Sequence, residues 1–272
     1  MKVGKIAFSN CEPVYYGFHA GILPQPFDLV SATPAGLAEM LKCNELDVSP
    51  VSTTEYLANR DEWELLPGLC IATLGAVESV LLFSRLPFND LDGRLVHLST
   101  KSRTSNTLVG PLLRDLHGAR PHFRLPGSRE EAAAFLAIGD EALMARGHAD
   151  FPYVLDLGEA WERLTGKSLV FAVWVARRVR LIHDAAACRK IHHLLLESKR
   201  LGKLNLAAVA AYAHGMARQK DPEECTRYLG LLRFDLNALD LAGLAEMERY
   251  LVAEGVLPAR GVARVEVARH VC

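Results

Sequence analysis

Three features of this 272-residue chain predict an α/β fold. Short β-like apolar runs alternate with helical segments from the N-terminus, the pattern of strands paired mainly in parallel and linked by helices. The alternation restarts after a turn at Asn89-Asp90-Leu91-Asp92-Gly93. Beyond position 178 helical periodicity takes over. The three together predict two α/β lobes, the second inserted into the first, with a helical C-terminal segment.

Each element has a local reason. Residues 5–8 form the first run, and Glu12-Pro13 opens a short helix through 18, proline being favoured in a first turn. A strand at 28–31 precedes an amphipathic helix over 34–43, with Leu37, Met40 and Leu41 on one face. A strand at 47–51 and a short helix at 54–59 follow, then extended runs at 65–73 and 77–84 joined through Gly75. After the turn, 94–98 reads as a strand and 105–116 as a helix ended by Gly118; 130–134 reads as helical and leads into a strand over 135–138. A strand at 153–157, a helix at 159–164 and a strand at 169–175 complete the alternation. Helices then fall near 184–200, 204–217, 222–230 and 239–254, with a last strand at 262–267. Trp161 and Trp174 read as core, and Arg177, Arg178 and Arg180 as a solvated patch.

Composition excludes several classes. Half of the residues are apolar, enough for one large core or two smaller ones. A formal charge of −1 provides no field for nucleic acid or an anionic membrane. The six cysteines are scattered, with no CxxC pair, which favours a reducing compartment over a disulfide framework. The opening MKVGKIAFSN lacks the apolar stretch of a signal peptide, and no apolar run approaches the roughly 18–20 residues of a membrane span. A cytoplasmic protein is expected. There is no P-loop, GxGxxG, HExxH or GxSxG. His192-His193 lacks partners at ligand spacing, so neither a metal nor an organic cofactor is expected.

Four segments could carry chemistry. Asn10 follows the first strand, where it is equally a helix cap and a ligand-facing amide. Ser79 lies in an apolar run, on the face opposite Glu78 by alternation; a satisfied core hydroxyl is the commoner role there. Ser99 to Thr107 supplies several hydroxyls before a helix N-terminus, a ready carboxylate site, although Thr104 or Ser105 could equally be a plain N-cap. Gly139 could offer its N–H, and Asp140 a carboxylate or a helix cap.

The wording of these segments is specific. Ile138-Gly139-Asp140-Glu141-Ala142-Leu143, Asp156-Leu157-Gly158-Glu159-Ala160-Trp161 and Leu169-Val170-Phe171-Ala172-Val173-Trp174 resemble, in order, the IGDxAL, DLGExW and FVFAVW motifs of the chorismate dehydratase family of futalosine-route menaquinone biosynthesis. Asn10, Pro13, Tyr15 and Tyr16 match that family's (Y/F)xNxxP segment with its trailing aromatics, and Ser9 departs from it. Residues 75–84 resemble its GxVxSVxLFS strand, with Glu78 in place of a commonly small residue and expected to face outward. Residues 99–107 resemble its TSxTS-type loop, from which Asn106 departs. The resemblance runs from Met1 to about position 256.

It implies a two-lobed fold of the type II periplasmic-binding-protein kind, with the ligand in the cleft. Lobe 1 would comprise 1–86 and 177–272 and lobe 2 87–176, with crossings near 85–89 and 174–178. It implies Asn10 and Ser79 at the reacting centre, with Thr104, Ser105, Asn106, Gly139 and Asp140 holding the substrate. The implied reaction is loss of water from chorismate to give 3-[(1-carboxyvinyl)oxy]benzoate, with chorismate as the small-molecule partner and no nucleic acid or membrane expected. A sister enzyme, 1,4-dihydroxy-6-naphthoate synthase, opens with an SPCPNDT-like loop that the FSNCEP of this chain does not resemble. A non-catalytic solute-binding protein is the alternative from another class.

Overall fold

The computed structural model of the chain describes residues 1–126, 131–217 and 221–259. The N-terminal part alternates β1 (Lys2–Ile6), α1 (Glu12–His19), β2 (Asp28–Ala32), α2 (Pro34–Lys42), β3 (Val48–Ser52), α3 (Thr53–Ala58) and β4 (Trp63–Thr73). A second series follows: β5 (Val80–Ser84), β6 (Leu95–His97), α4 (Arg103–His117), β7 (His122–Arg124), β8 (Ala134–Ile138), α5 (Asp140–Met144), β9 (Tyr153–Asp156) and α6 (Leu157–Thr165). The strand β10 (Leu169–Arg177) leads to α7 (Arg178–His183), α8 (Ala185–Leu204), α9 (Leu206–Ala217), α10 (Pro222–Leu231) and α11 (Ala238–Ala253).

The strands form two five-stranded sheets with one connectivity used twice. The first has the order β2-β1-β3-β10-β4 and the second β7-β6-β8-β5-β9. The expectation of mainly parallel pairing is corrected. β1 runs parallel to β2 and β3, and β6 to β7 and β8, but β10 and β5 are antiparallel to both their neighbours. The reason is geometric. β10 and β5 each arrive from the other lobe, so they enter at the cleft end, where the parallel strands finish.

Sheet membership also moves the crossings. β5 belongs to the second sheet and β10 to the first, so the chain passes between sheets in 74–79 and 166–168 rather than near 85–89 and 174–178. Three further expectations change. The 77–84 run is a strand only from Val80, because Glu78 adopts a left-handed φ of 61° that breaks alternation. Residues 131–133 form a turn rather than a helix before β8, and Glu130 lies outside the described residues, as does the strand expected at 262–267. Arg177, Arg178 and Arg180 are not a solvated patch: they pair with Asp47, Glu64 and Asp47 at 3.1, 2.8 and 2.8 Å.

The larger of two apolar clusters among the described residues extends through both sheets, and a smaller one, around Phe83, Phe135 and Phe151, lies on the second sheet. β3, β5 and β8 are buried along their whole length, and Trp161 and Trp174 are fully enclosed. The stripe Leu108, Val109, Leu112 and Leu113 fixes α4 against this core, each large side chain contributing about 1.5–3 kcal/mol relative to exposure. Ser102 caps the start of α4, and Gly118, at φ 69°, ends it. The C-terminal helices pack back on the first lobe. α8 crosses α1 so closely that a Cβ at Gly202 would lie 2.1 Å from the Pro13 carbonyl oxygen, which makes glycine obligatory there. No helix among the described residues is long and apolar enough to cross a membrane.

Candidate active site

The strand ends that face the cleft enclose a cavity of about 470 Å³, mouth included. Its polar lining is Asn10, Ser52, Ser79, Ser102, Ser105 and Gly139; Ile6, Phe8, Ile71, Val77, Ile138 and Phe171 supply most of its apolar wall. No Asp, Glu, Lys, Arg or His among the described residues lines it. The polar groups offered to a ligand are therefore neutral.

Asn10 sits in the 3-10 turn Ser9–Cys11 between β1 and α1, and its side chain caps neither helical segment. The capping alternative thus falls away. Its Oδ1 is buried without a hydrogen-bond partner among the described residues, as is the Ser52 hydroxyl. A buried acceptor left unpaired costs about 1–3 kcal/mol, and a ligand in this cavity would remove that cost. Ser79 closes the crossing segment just before β5 and is fully buried. Its hydroxyl accepts from Tyr228 at 2.8 Å, and its carbonyl accepts from the Gly139 N–H at 2.7 Å.

That last bond corrects the role expected of Gly139. Its N–H is already engaged, so what the site uses is its conformation, φ 68° and ψ −139°, and its lack of a side chain. A Cβ there would meet the Phe8 ring at 3.0–3.1 Å. Ser105 lines the cavity at the first turn of α4, next to its cap: Ser102 Oγ accepts from Ser105 N at 3.4 Å, and the two hydroxyls lie 3.3 Å apart. The positive end of a fifteen-residue helix therefore points at the cavity.

Three expected ligand contacts stand elsewhere. Thr104 turns away from the cavity to Thr54, accepting from its N–H at 2.9 Å and donating to its hydroxyl at 3.0 Å. Asn106 folds back on Ser99, accepting from its N–H at 3.0 Å and donating to its carbonyl at 2.6 Å. It therefore shapes the loop. Asp140 opens α5 without capping it and accepts from the Ser9 hydroxyl at 2.6 Å. Thr104 and Asp140 thus tie the lobes together across the cleft. Glu78 faces away from the cavity, as expected, into Arg146 and Arg227.

Sequence reasoning missed three residues. Ser52 ends β3, so the strand-end rule applied to Asn10 would have found it. Asp156 accepts from Val77 N (3.1 Å), Glu78 N (2.7 Å) and Gly158 N (2.8 Å), and so locks the segment that presents Ser79. Burial raises its pKa, and these N–H groups oppose the shift. Tyr228, buried on α10, has no local signal in the sequence; burial pushes its phenol above the usual range.

The comparisons with known proteins fit this geometry. A family model described as menaquinone biosynthesis matches residues 1–253. The chain belongs to this menaquinone-biosynthesis family. It is 30% identical to the chorismate dehydratase of Thermus thermophilus, over 89% of this chain and 92% of that protein. It is 26% identical to the 1,4-dihydroxy-6-naphthoate synthase of Streptomyces coelicolor, over 94% of this chain and 95% of that protein. Among solved structures, a structural-genomics protein of Archaeoglobus fulgidus superposes with a TM-score of 0.72 at 17% identity, covering 94% of this chain and 98% of that one. The periplasmic aliphatic sulphonate binding protein of Escherichia coli gives 0.67 at 13% identity, covering 95% and 94%. This member of the menaquinone-biosynthesis family thus has the periplasmic-binding-protein fold expected from its sequence.

Proposed function

We propose that the chain is a chorismate dehydratase, a hydro-lyase that removes water from chorismate to give 3-[(1-carboxyvinyl)oxy]benzoate. The observation that carries this reading is the neutral cavity: hydroxyls, one amide and a helix N-terminus, with no ionised side chain in the lining. Such a lining accepts a dianion without a repelling carboxylate, and it needs the substrate to supply its own base.

The chemistry suits it. The C3–H of chorismate is γ to the ring carboxylate through a double bond, so deprotonation gives a delocalised anion. Departure of the C4 oxygen then makes the ring aromatic. Ser105 and the first turn of α4 bind one carboxylate of the substrate. Asn10 and Ser79 hold the reacting end and stabilise charge on the departing oxygen. The enolpyruvyl carboxylate takes the C3 proton, its basicity raised by a site that strips its water, and passes it to the departing C4 oxygen, which leaves as water. Phe8, Ile71, Val77 and Phe171 provide that dry wall.

The test is incubation with chorismate and identification of the product by ultraviolet spectrum and mass. A product lighter than chorismate by one water, with an aromatic spectrum, is expected. Unchanged chorismate in the presence of folded protein would reject the reading. The naphthoate synthase reading draws on lower identity and on an opening loop this chain does not share.

A further inference from the structure

The helix α10 comes from the C-terminal tail, far in sequence from every residue assigned above, yet it docks on the segment that presents Ser79. Two consecutive residues meet two consecutive residues. Arg227 binds Glu78 at 2.8 and 2.5 Å, and Tyr228 donates to Ser79 Oγ at 2.8 Å. Arg146 on α5 holds Glu78 from the other side at 2.9 Å. Both hydroxyls are enclosed, Tyr228 1% and Ser79 0% exposed.

We infer that Tyr228 is a positioning residue that sets which way the Ser79 hydroxyl donates. The reasoning follows the protons and rests on the function proposed above. The phenol donates to Ser79 Oγ at 2.8 Å, and a hydroxyl carries a single proton. The proton of Ser79 must then be used elsewhere, and the cavity is the open direction. Asn10 Oδ1 remains as a buried acceptor without a partner among the described residues. The chain of bonds runs one way, Tyr228 to Ser79 to ligand. It leaves one donor and one acceptor for the substrate, which suits a hydroxyl group that must both donate and accept, such as the one leaving C4. A hydroxyl that already accepts a hydrogen bond is also a stronger donor. Tyr228 does not line the cavity and acts only through Ser79.

The test is a double-mutant cycle on the whole chain, with chorismate as substrate and thermal melts confirming that each variant is folded at the assay temperature. Tyr228→Phe removes one oxygen and keeps the ring. It should lower kcat roughly tenfold with KM changed less than about twofold. Ser79→Ala should lower kcat by about a hundredfold. The double variant should be no worse than Ser79→Ala alone, because both remove one donor. A structural defect at Tyr228 would instead multiply with the Ser79 loss and overturn the inference, as would wild-type kcat in Tyr228→Phe. Wild-type protein inactive on chorismate would overturn the functional reading and this inference with it; active wild type with additive variants removes the inference alone.

If Tyr228→Phe does not fold, 3-fluorotyrosine at 228 keeps the packing and acidifies the phenol. The stronger donor should change kcat with Ser79 in place and leave the kcat of Ser79→Ala unchanged. The same change in both backgrounds, or no change in either, rejects the inference.

Discussion

Replacing Asp156 by alanine should damage the fold and the site together, although Asp156 does not line the cavity. Its carboxylate caps α6 through Gly158 N at 2.8 Å and also holds Val77 N at 3.1 Å and Glu78 N at 2.7 Å. Loss of the cap costs about 0.5–2 kcal/mol. Val77 N is buried, and leaving one buried N–H unpaired costs about 1–3 kcal/mol more. Removing a carboxylate whose pKa is raised by burial returns part of this, so we expect a net loss of about 2–4 kcal/mol. For a chain of this size that lowers the melting temperature by roughly 4–16 °C. Because Asp156 also fixes the segment before Ser79, kcat of the remaining folded protein should fall as well, with Asp156→Asn intermediate in both respects. Differential scanning calorimetry and steady-state turnover on chorismate read the two effects. A melting temperature within about 2 °C of wild type would refute the assigned role of these bonds, and unchanged kcat would refute the link to Ser79.

Asn10→Asp should lower kcat by at least about two orders of magnitude with an unchanged melt, since losing a preorganised donor costs roughly 2.7–4 kcal/mol; steady-state kinetics beside a thermal melt check this. Ser105→Ala should mainly raise KM, by the roughly 1.5–3 kcal/mol of one charge-assisted hydrogen bond, with kcat nearly unchanged; a fall in kcat at constant KM would move Ser105 to the reacting centre. Gly139→Ala should weaken both folding and turnover, because the new Cβ must meet the Phe8 ring at 3.0–3.1 Å in a backbone conformation with φ 68°; an alanine variant with wild-type melting and turnover would show that the close approach is dispensable.

Much of the fold was legible because its elements carry local signals. Pro34 behind the Thr33 cap marks α2, and Gly118 ends α4. The direction of β5 and β10 was not, since parallel or antiparallel pairing depends on where a strand enters the sheet and not on its own residues. β7 was missed because its three residues are all exposed and show no alternation. Asn10, Ser79 and Ser105, singled out from strand ends, a helix start and the family resemblance, all line the cavity. Thr104, Asn106 and Asp140 have the right chemistry beside the cavity, but nearer polar partners claim their side chains. Tyr228 could be found only by folding, because α10 reaches Ser79 across 149 positions of sequence.

The most direct test of the proposed reaction is the fate of the hydrogen at C3. Chorismate carrying deuterium at that carbon is converted by the wild-type chain, and the product is weighed. Unlabelled 3-[(1-carboxyvinyl)oxy]benzoate is the expected result, since the C3 hydrogen must leave with the C4 oxygen. A product that keeps the label, or release of pyruvate from a broken C3–O bond, would contradict elimination of water across C3 and C4 in this cavity.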